Sequence, residues 1–197
     1  MKGPRPVTHR YLAGRLASAV VAVALAVVVV LAIGAVLAAA PSATPVADAA
    51  RGGDVDAVRA LLQQGTDVNG AHGDGMSALH WAAQRGDRQM AEILVYAGAK
   101  VNAVTRIGQY TPLHVASTEG HDSIIELLLE SGSNVSIPTT TGGVTPLHLA
   151  AASGSASAVA TLLDHGADID ALERAWGRTP LIFAAARDRV DTIRTLL

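Results

Sequence analysis

The chain has 197 residues, no cysteine and a formal net charge of −2, from 17 acidic and 15 basic residues. Without cysteine it forms no disulfide and offers no thiol for catalysis. All 17 acidic residues follow Ala40, together with eleven of the basic ones, so this larger part of the chain carries a net charge of −6. Nucleic-acid binding requires a basic face, and the acidic balance argues against it.

The N-terminal part of the chain, up to Ala40, differs in composition from the rest. Residues 1–15 form a basic tail with four Lys or Arg and no acid, whereas residues 16–40 carry no charge at all. A helix of that length, about 37 Å, is long enough to cross a hydrocarbon core of about 30 Å. Residues 16–40 are therefore predicted to form one transmembrane helix in contact with the lipid bilayer.

A cleavable signal sequence is the alternative for the same segment. The apolar region of a signal peptide normally runs for about 7–15 residues, which is shorter than this run, but Ala38-Ala39-Ala40 offers the small residues that cleavage needs. The basic tail predicts a cytoplasmic N-terminus, with the rest of the chain on the far side of the membrane. Thirteen Arg against two Lys indicate a GC-rich bacterial genome. We therefore expect the periplasm, and the alternative is a cleaved protein soluble in that compartment.

A short phrase recurs along the remaining residues. It reads Thr145-Pro146-Leu147-His148, and its leucine recurs at one constant interval, as Leu79, Leu113, Leu147 and Leu181. A constant interval of this length predicts a solenoid of stacked repeats. Thr suits the N-cap of a helix and Pro its first residue, and a Gly seven positions after each of the first three leucines predicts the helix end.

A second apolar run with helical spacing follows each of these glycines and ends at Gly98, Gly132 and Gly166. Each repeat is thus predicted to be a helix, a turn, a second helix and a loop. Helices of about ten residues are marginal alone, so they require the neighbouring repeat for stability. Because the chain has only six aromatic residues, we expect a core of Leu, Val, Ile and Ala.

The pattern resembles the ankyrin repeat. The repeated helix start, the Gly between the helices and the closing phrases Gly98-Ala99-Lys100-Val101-Asn102-Ala103 and Gly166-Ala167-Asp168-Ile169-Asp170-Ala171 carry the resemblance. It implies an all-α solenoid of helix-turn-helix units joined by β-turn fingers. The usual period of the family is about 33 residues. The interval between the leucines is one longer, which predicts one extra residue, most simply in the finger.

One finger is expected to differ from the others. Gly108 lies three positions before Thr111, whereas Gly75, Gly143 and Gly177 lie two positions before the equivalent Ser or Thr. Residues 106–110 are therefore predicted to form a different turn.

The resemblance divides the chain after the apolar run into two parts. Residues 41–69 are a short linker and a degenerate first repeat, in which Thr44-Pro45-Val46-Ala47 aligns with the later helix starts. Residues 70–197 hold three repeats and an incomplete fourth, which has Ile182 in place of His and Asp188 in place of Gly. The last repeat stops inside its second helix at Leu197, so we expect the natural chain to continue beyond it.

The repeated histidines His80, His114 and His148 have two interpretations. A shared metal ion would need each of them within about 2.1 Å, whereas neighbouring layers stack about 8–10 Å apart. The resemblance implies instead that each His bonds the backbone and ties adjacent turns together. The other residues of the motif also have a structural role, as the start of each first helix: Thr111, Pro112, Thr145, Pro146, Thr179 and Pro180.

No catalytic constellation is evident from the spacing of the chain. His72 and Asp74 share one finger, but no third ligand or nucleophile accompanies them, and a surface loop is the simpler interpretation. We therefore expect no enzyme activity, no cofactor, no metal and no small-molecule substrate. The chain is expected to bind an unknown protein partner. An alternative is a cleaved effector, or an accessory factor to an enzyme.

The resemblance places partner binding on a concave face, made by the finger tips and the exposed side of each first helix. Trp, Tyr and Arg, which are frequent anchors of protein interfaces, are found among the variable positions of this face. The candidate partner-binding residues are His72, Asp74, Met76, Trp81, Arg85, Arg106, Gln109, Tyr110, Glu119, Thr141, Trp176 and Arg178.

Overall fold

A computed structural model describes residues 44–197, which form ten α-helices arranged as five pairs. The helices are α1 Pro45–Gly52, α2 Val55–Gln63, α3 Ala78–Arg85, α4 Arg88–Tyr96, α5 Pro112–Glu119, α6 Asp122–Glu130, α7 Pro146–Ser153, α8 Ala156–Asp164, α9 Pro180–Ala185 and α10 Val190–Leu196. We number the pairs repeat 1 (α1 and α2) to repeat 5 (α9 and α10). Residues 44–197 contain no β-strand, only an isolated antiparallel bridge between Ala71 and Ser77. The predicted all-helical solenoid is confirmed.

The predicted basic tail of residues 1–15 and the predicted transmembrane helix of residues 16–40 lie outside the described residues. Within residues 44–197, no helix combines the length and the apolar character that crossing a membrane requires.

The ends of the helices follow from the residues that flank them. Thr111 caps α5 by accepting a hydrogen bond from the backbone amide of His114, and Pro112 occupies the first helical position. The second helix of a repeat begins similarly, for example after Asp87, whose carboxylate accepts from the amide of Met90. Gly86 ends α3 with a φ of 69°, a left-handed conformation that costs glycine little because it lacks a Cβ.

Repeat 5 departs from this pattern where its glycine is missing. Asp188 stands in the position of Gly86 and still adopts the left-handed conformation, with a φ of 56°. A residue with a Cβ is disfavoured there, although Asp tolerates it better than most. The helix before it, α9, has six residues, against eight in each of the four other first helices.

The helices form two layers around one continuous core. The first helices (α1, α3, α5, α7 and α9) pack against one another in chain order, and the second helices (α2, α4, α6, α8 and α10) pack behind them. The repeated leucines of the first layer, Leu79, Leu113 and Leu147, are fully buried, as are Leu94, Leu128 and Leu162 of the second. Full burial of one Leu contributes about 1.5–3 kcal/mol. The core consists of Leu, Ile, Val and Ala with Met90, as the composition predicts.

Asparagine side chains link the loops of successive repeats. The amide nitrogen of Asn69 donates to the carbonyl of Gly98, and its oxygen accepts from the amide of Lys100. Asn102 makes the same pair of bonds one repeat later, to Gly132 and Asn134. The next equivalent position holds Ser136, whose side chain is shorter and has no amide group. The loops of repeats 3 and 4 therefore lack this asparagine bridge.

Candidate interaction surface

Four fingers connect the second helix of one repeat to the first helix of the next. We number them finger 1 (residues 72–76), finger 2 (105–110), finger 3 (139–144) and finger 4 (173–178). A backbone hydrogen bond from the first residue to the carbonyl of the last closes each finger, and it spans four positions in finger 1 but five in the others. The extra residue of the longer repeats therefore lies in the finger, as predicted.

Finger 2 has a turn unlike its neighbours. Gly108 has a φ of 78° and is followed by Gln109 with a φ of 52°, so two consecutive residues are left-handed. Fingers 3 and 4 place a glycine, Gly143 or Gly177, where finger 2 has Gln109. The prediction of a different turn in residues 106–110 is confirmed. Gln109 adopts a backbone conformation that is strained for a residue with a Cβ.

Backbone hydrogen bonds join the fingers into one row. The amide of Arg106 in finger 2 donates to the carbonyl of Asp74 in finger 1, at 2.8 Å. Thr140 donates to Gly108 at 2.9 Å, and Arg174 donates to Gly142 at 2.8 Å. The finger tips are thus held at fixed positions relative to one another, which suits a preorganised binding surface.

Two of the repeated histidines, His80 and His148, connect a first helix to the following finger. The Nδ1 of His80 accepts from the amide and hydroxyl of Ser77, and its Nε2 lies 3.0 Å from the carbonyl of Tyr110. His148 makes the equivalent contact with the carbonyl of Arg178, also at 3.0 Å. Because a carbonyl can only accept, Nε2 carries a proton. Nδ1 accepts a hydrogen bond from a backbone amide and therefore carries none, so the ring is neutral.

His114 occupies the same position but is less completely bonded. Its Nδ1 accepts from the amide and hydroxyl of Thr111, while its buried Nε2 makes no well-aligned hydrogen bond within the described residues. Burial lowers the pKa of His114 to about 4, although the carbonyl of Val144 opposes the shift. Burial likewise lowers the pKa of His80 and of His148. The three rings are neutral structural groups at neutral pH.

A shallow pocket of about 240 Å³ opens between fingers 1 and 2 and the helices behind them. Its apolar lining comes from Met76, Tyr110 and Val115. Its polar lining comes from Gln84, Thr105, Thr118 and Glu119. Finger residues and first-helix residues thus share one surface, which corresponds to the concave face that the resemblance implies.

Comparison with known proteins agrees with the geometry of helices, fingers and histidines. A family model described as ankyrin repeats (three copies) matches residues 34–105 and again residues 113–197. The chain belongs to the ankyrin-repeat family. Among curated proteins, none matches this chain.

Ankyrin repeats are generally non-catalytic modules of protein–protein interaction. The part of this ankyrin stack that the structure describes has no group of three or more side chains placed to hold a metal ion. His80, His114 and His148 each lie in a separate repeat and bond their own helix cap. Partner binding by the candidate residues of the concave face stays a prediction, and their placement is as follows.

Two of the candidate residues are tied into repeat 1. The indole of Trp81 donates to the Nδ1 of His72 at 3.2 Å, and the Nε2 of His72 lies 2.9 Å from the carboxylate of Asp48. The guanidinium of Arg51 lies over the indole, 5.3 Å from the ring centroid. His72 and Trp81 are half-buried, so they fasten α1 to α3 as well as contributing to the concave face.

Two candidate arginines also make internal contacts. The guanidinium of Arg178 lies over the ring of Phe183 at 5.0 Å and pairs with Glu173 at 3.2 Å. The guanidinium of Arg85 lies over Gly53 and is 3.5 Å from the carbonyl of Arg51. Met76 and Tyr110 are half-buried in the pocket. The remaining candidates are exposed: Asp74, Arg106, Gln109, Glu119, Thr141 and Trp176.

Two further finger residues stand out in the structure although they are not among the candidates. Ile107 projects from finger 2 and is 81% exposed, comparable with Trp176 of finger 4 at 79%. It lies in the unusual turn, and the displaced glycine at position 108 is the sequence signal for that turn.

Glu173 is the second of these residues. It starts finger 4 but is buried, and its carboxylate accepts from the amides of Ala175 and Trp176. Burial alone would raise the pKa of Glu173, but these bonds and Arg178 lower it. The buried carboxylate therefore fixes the backbone that presents Trp176.

Proposed function

We propose that the chain is a membrane-anchored binding module whose concave face holds a protein partner outside the cytoplasm. The observation that carries the binding role is the row of hydrogen-bonded fingers with Ile107 and Trp176 exposed on it. Side chains of this kind on a surface held rigid by hydrogen bonds are available as preorganised anchors for a partner. Trp is also the residue type most enriched among energetically dominant interface contacts.

Anchoring is supported by the sequence that precedes the repeats. The basic tail of residues 1–15 and the uncharged run of residues 16–40 favour a single span with the repeats outside the cytoplasm. N-terminal sequencing of the mature protein tests this part. A start at Met1 or Lys2 supports the anchor, whereas a start within residues 39–44 supports a cleaved protein in the same compartment. The binding role of the concave face is independent of this outcome.

Crosslinked capture from native membranes tests the binding role, with the full chain as bait. Trp176→Ala removes the exposed indole of finger 4. Tyr96→Ala is the matched control, because Tyr96 is 96% exposed but lies at the end of α4, in the second layer of helices. We expect the partner to be reduced about tenfold or more by Trp176→Ala and unchanged by Tyr96→Ala. Equal capture by both variants would reject the concave face as the binding surface.

A further inference from the structure

We propose that the pocket beside Glu119 binds an arginine side chain of the protein partner. The proposal rests on the proposed function and specifies its chemistry. The pocket, at about 240 Å³, is smaller than the roughly 300–1,000 Å³ typical of small-molecule sites. It is therefore suited to one protruding side chain rather than to a whole metabolite.

The two threonine hydroxyl groups of the pocket can only accept further hydrogen bonds. Thr118 donates its proton to the carbonyl of His114, at 3.0 Å. Thr105 donates its proton to the carbonyl of Ile107, at 2.9 Å, and also accepts from the amide of Tyr110. The carboxylate of Glu119 is an acceptor as well. The carboxamide of Gln84 and the phenol of Tyr110 can donate as well as accept, so acceptors are in excess in the lining. A guanidinium, with five N–H donors in one plane, matches that excess.

Glu119 has no counter-ion among the described residues. It forms no ion pair with any side chain of residues 44–197. The equivalent residue of the preceding repeat, Arg85, has the right charge, but its guanidinium is turned towards repeat 1, over Gly53. In the following repeat the equivalent residue is Ser153, which carries no charge. This position therefore offers a single negative charge at the pocket, complementary to a cation.

The apolar side of the pocket fits the rest of an arginine side chain. Met76 and Val115 provide surface for its methylene groups, and the ring of Tyr110 provides a face on which a guanidinium can stack. That ring is held in place, because it packs edge-on against His114 with centroids 5.6 Å apart. The carbonyl of Tyr110 is also fixed by His80. The arrangement favours arginine over lysine, because the compact ammonium of lysine cannot stack on a ring or donate two parallel hydrogen bonds to one carboxylate.

A methyl-resolved NMR titration tests the proposal on the full chain in a non-ionic detergent. The chain has three methionines, of which Met76 lines the pocket and Met90 is buried in the core, so Met90 is an internal reference. The probes are Nα-acetyl-arginine amide, its uncharged isostere Nα-acetyl-citrulline amide, and Nα-acetyl-lysine amide. We expect a saturable shift of the Met76 methyl signal with the arginine compound, no shift at Met90, and at least fivefold weaker binding of the other two.

Glu119→Gln removes the charge and keeps the shape of the side chain. It is expected to weaken binding of the arginine compound about fivefold, as for loss of one partly desolvated ion pair. Glu130→Gln, an exposed carboxylate on α6, is the matched control and should bind as the wild type does. Absence of a saturable Met76 shift, equal binding of citrulline or lysine, or wild-type affinity in Glu119→Gln would each overturn the proposal. If Trp176→Ala still loses the partner in that case, the proposed function stands without the arginine site.

Discussion

Single side chains in the loops determine how firmly each repeat holds the next. Asn69 and Asn102 each bond a carbonyl and an amide of the following loop, and both bonds depend on an amide side chain that can donate and accept. Ser136 has one hydroxyl on a shorter side chain and takes the place of the bridging asparagine at the next junction. The junction between repeats 3 and 4 is therefore weaker in this respect than the two before it.

Ser136→Asn is predicted to restore the missing bridge. By the register of the repeats, the new side chain would donate to the carbonyl of Gly166 and accept from the amide of Asp168. Two exposed hydrogen bonds of this kind should raise the free energy of unfolding by about 1 kcal/mol. Urea unfolding followed by circular dichroism measures this free energy. Asn102→Ser is the reciprocal variant, and we expect it to lose a similar amount of stability. An unchanged or lower stability of Ser136→Asn would contradict the bridging role.

At the scale of the helices and fingers, the sequence was informative wherever structure is set locally. The Thr-Pro starts, the glycine ends and the position of the extra residue are decided by neighbours a few residues away. The bonds among Asp48, His72 and Trp81 could not be predicted, because they join residues of different repeats whose orientation depends on packing. The burial of Glu173 is similar: its residue type suggests solvent, and only the fold of finger 4 supplies the amide donors.

The buried histidines of repeats 2, 3 and 4 make the stability of the stack sensitive to acid. His114 is neutral in the fold because burial lowers its pKa from 6.5 to about 4. At a pH between these two pKa values, the unfolded chain therefore binds more protons than the folded chain does. The stability that depends on a neutral His114 is therefore present above pH 6.5 and is lost as the pH falls towards 4. The lowered pKa of His80 and of His148 acts in the same direction.

We expect the titration of His114 alone to reduce the free energy of unfolding by about 2 kcal/mol between pH 7 and pH 5. His114→Asn removes the titrating ring and keeps a side chain able to accept from Thr111. The variant should be less stable at pH 7 but should lose less stability on acidification than the wild type does. Urea unfolding at a series of pH values gives, for each protein, the slope of the free energy of unfolding against pH. Parallel slopes for the two proteins would show that His114 does not carry the acid sensitivity.

At the scale of the whole molecule, the repeats form one continuous core and one row of fingers. The repeated leucines predict this stack from the sequence, since no single pair of short helices could be stable alone. The sequence also indicates which residues share the concave face. It cannot show which of them are free to bind, because Trp81 and Arg85 are engaged with repeat 1 whereas Ile107 and Trp176 are exposed.

The central claim is that a protein partner binds the concave face, and site-specific photocrosslinking tests it most directly. A photoreactive amino acid is placed at Ile107 in finger 2 or at Tyr96 at the end of α4, positions that are 81% and 96% exposed. The two chains are expressed in the native host and irradiated in intact cells. We predict a crosslinked partner from position 107 and none from position 96. A partner crosslinked from position 96 alone, or equally from both, would contradict the claim.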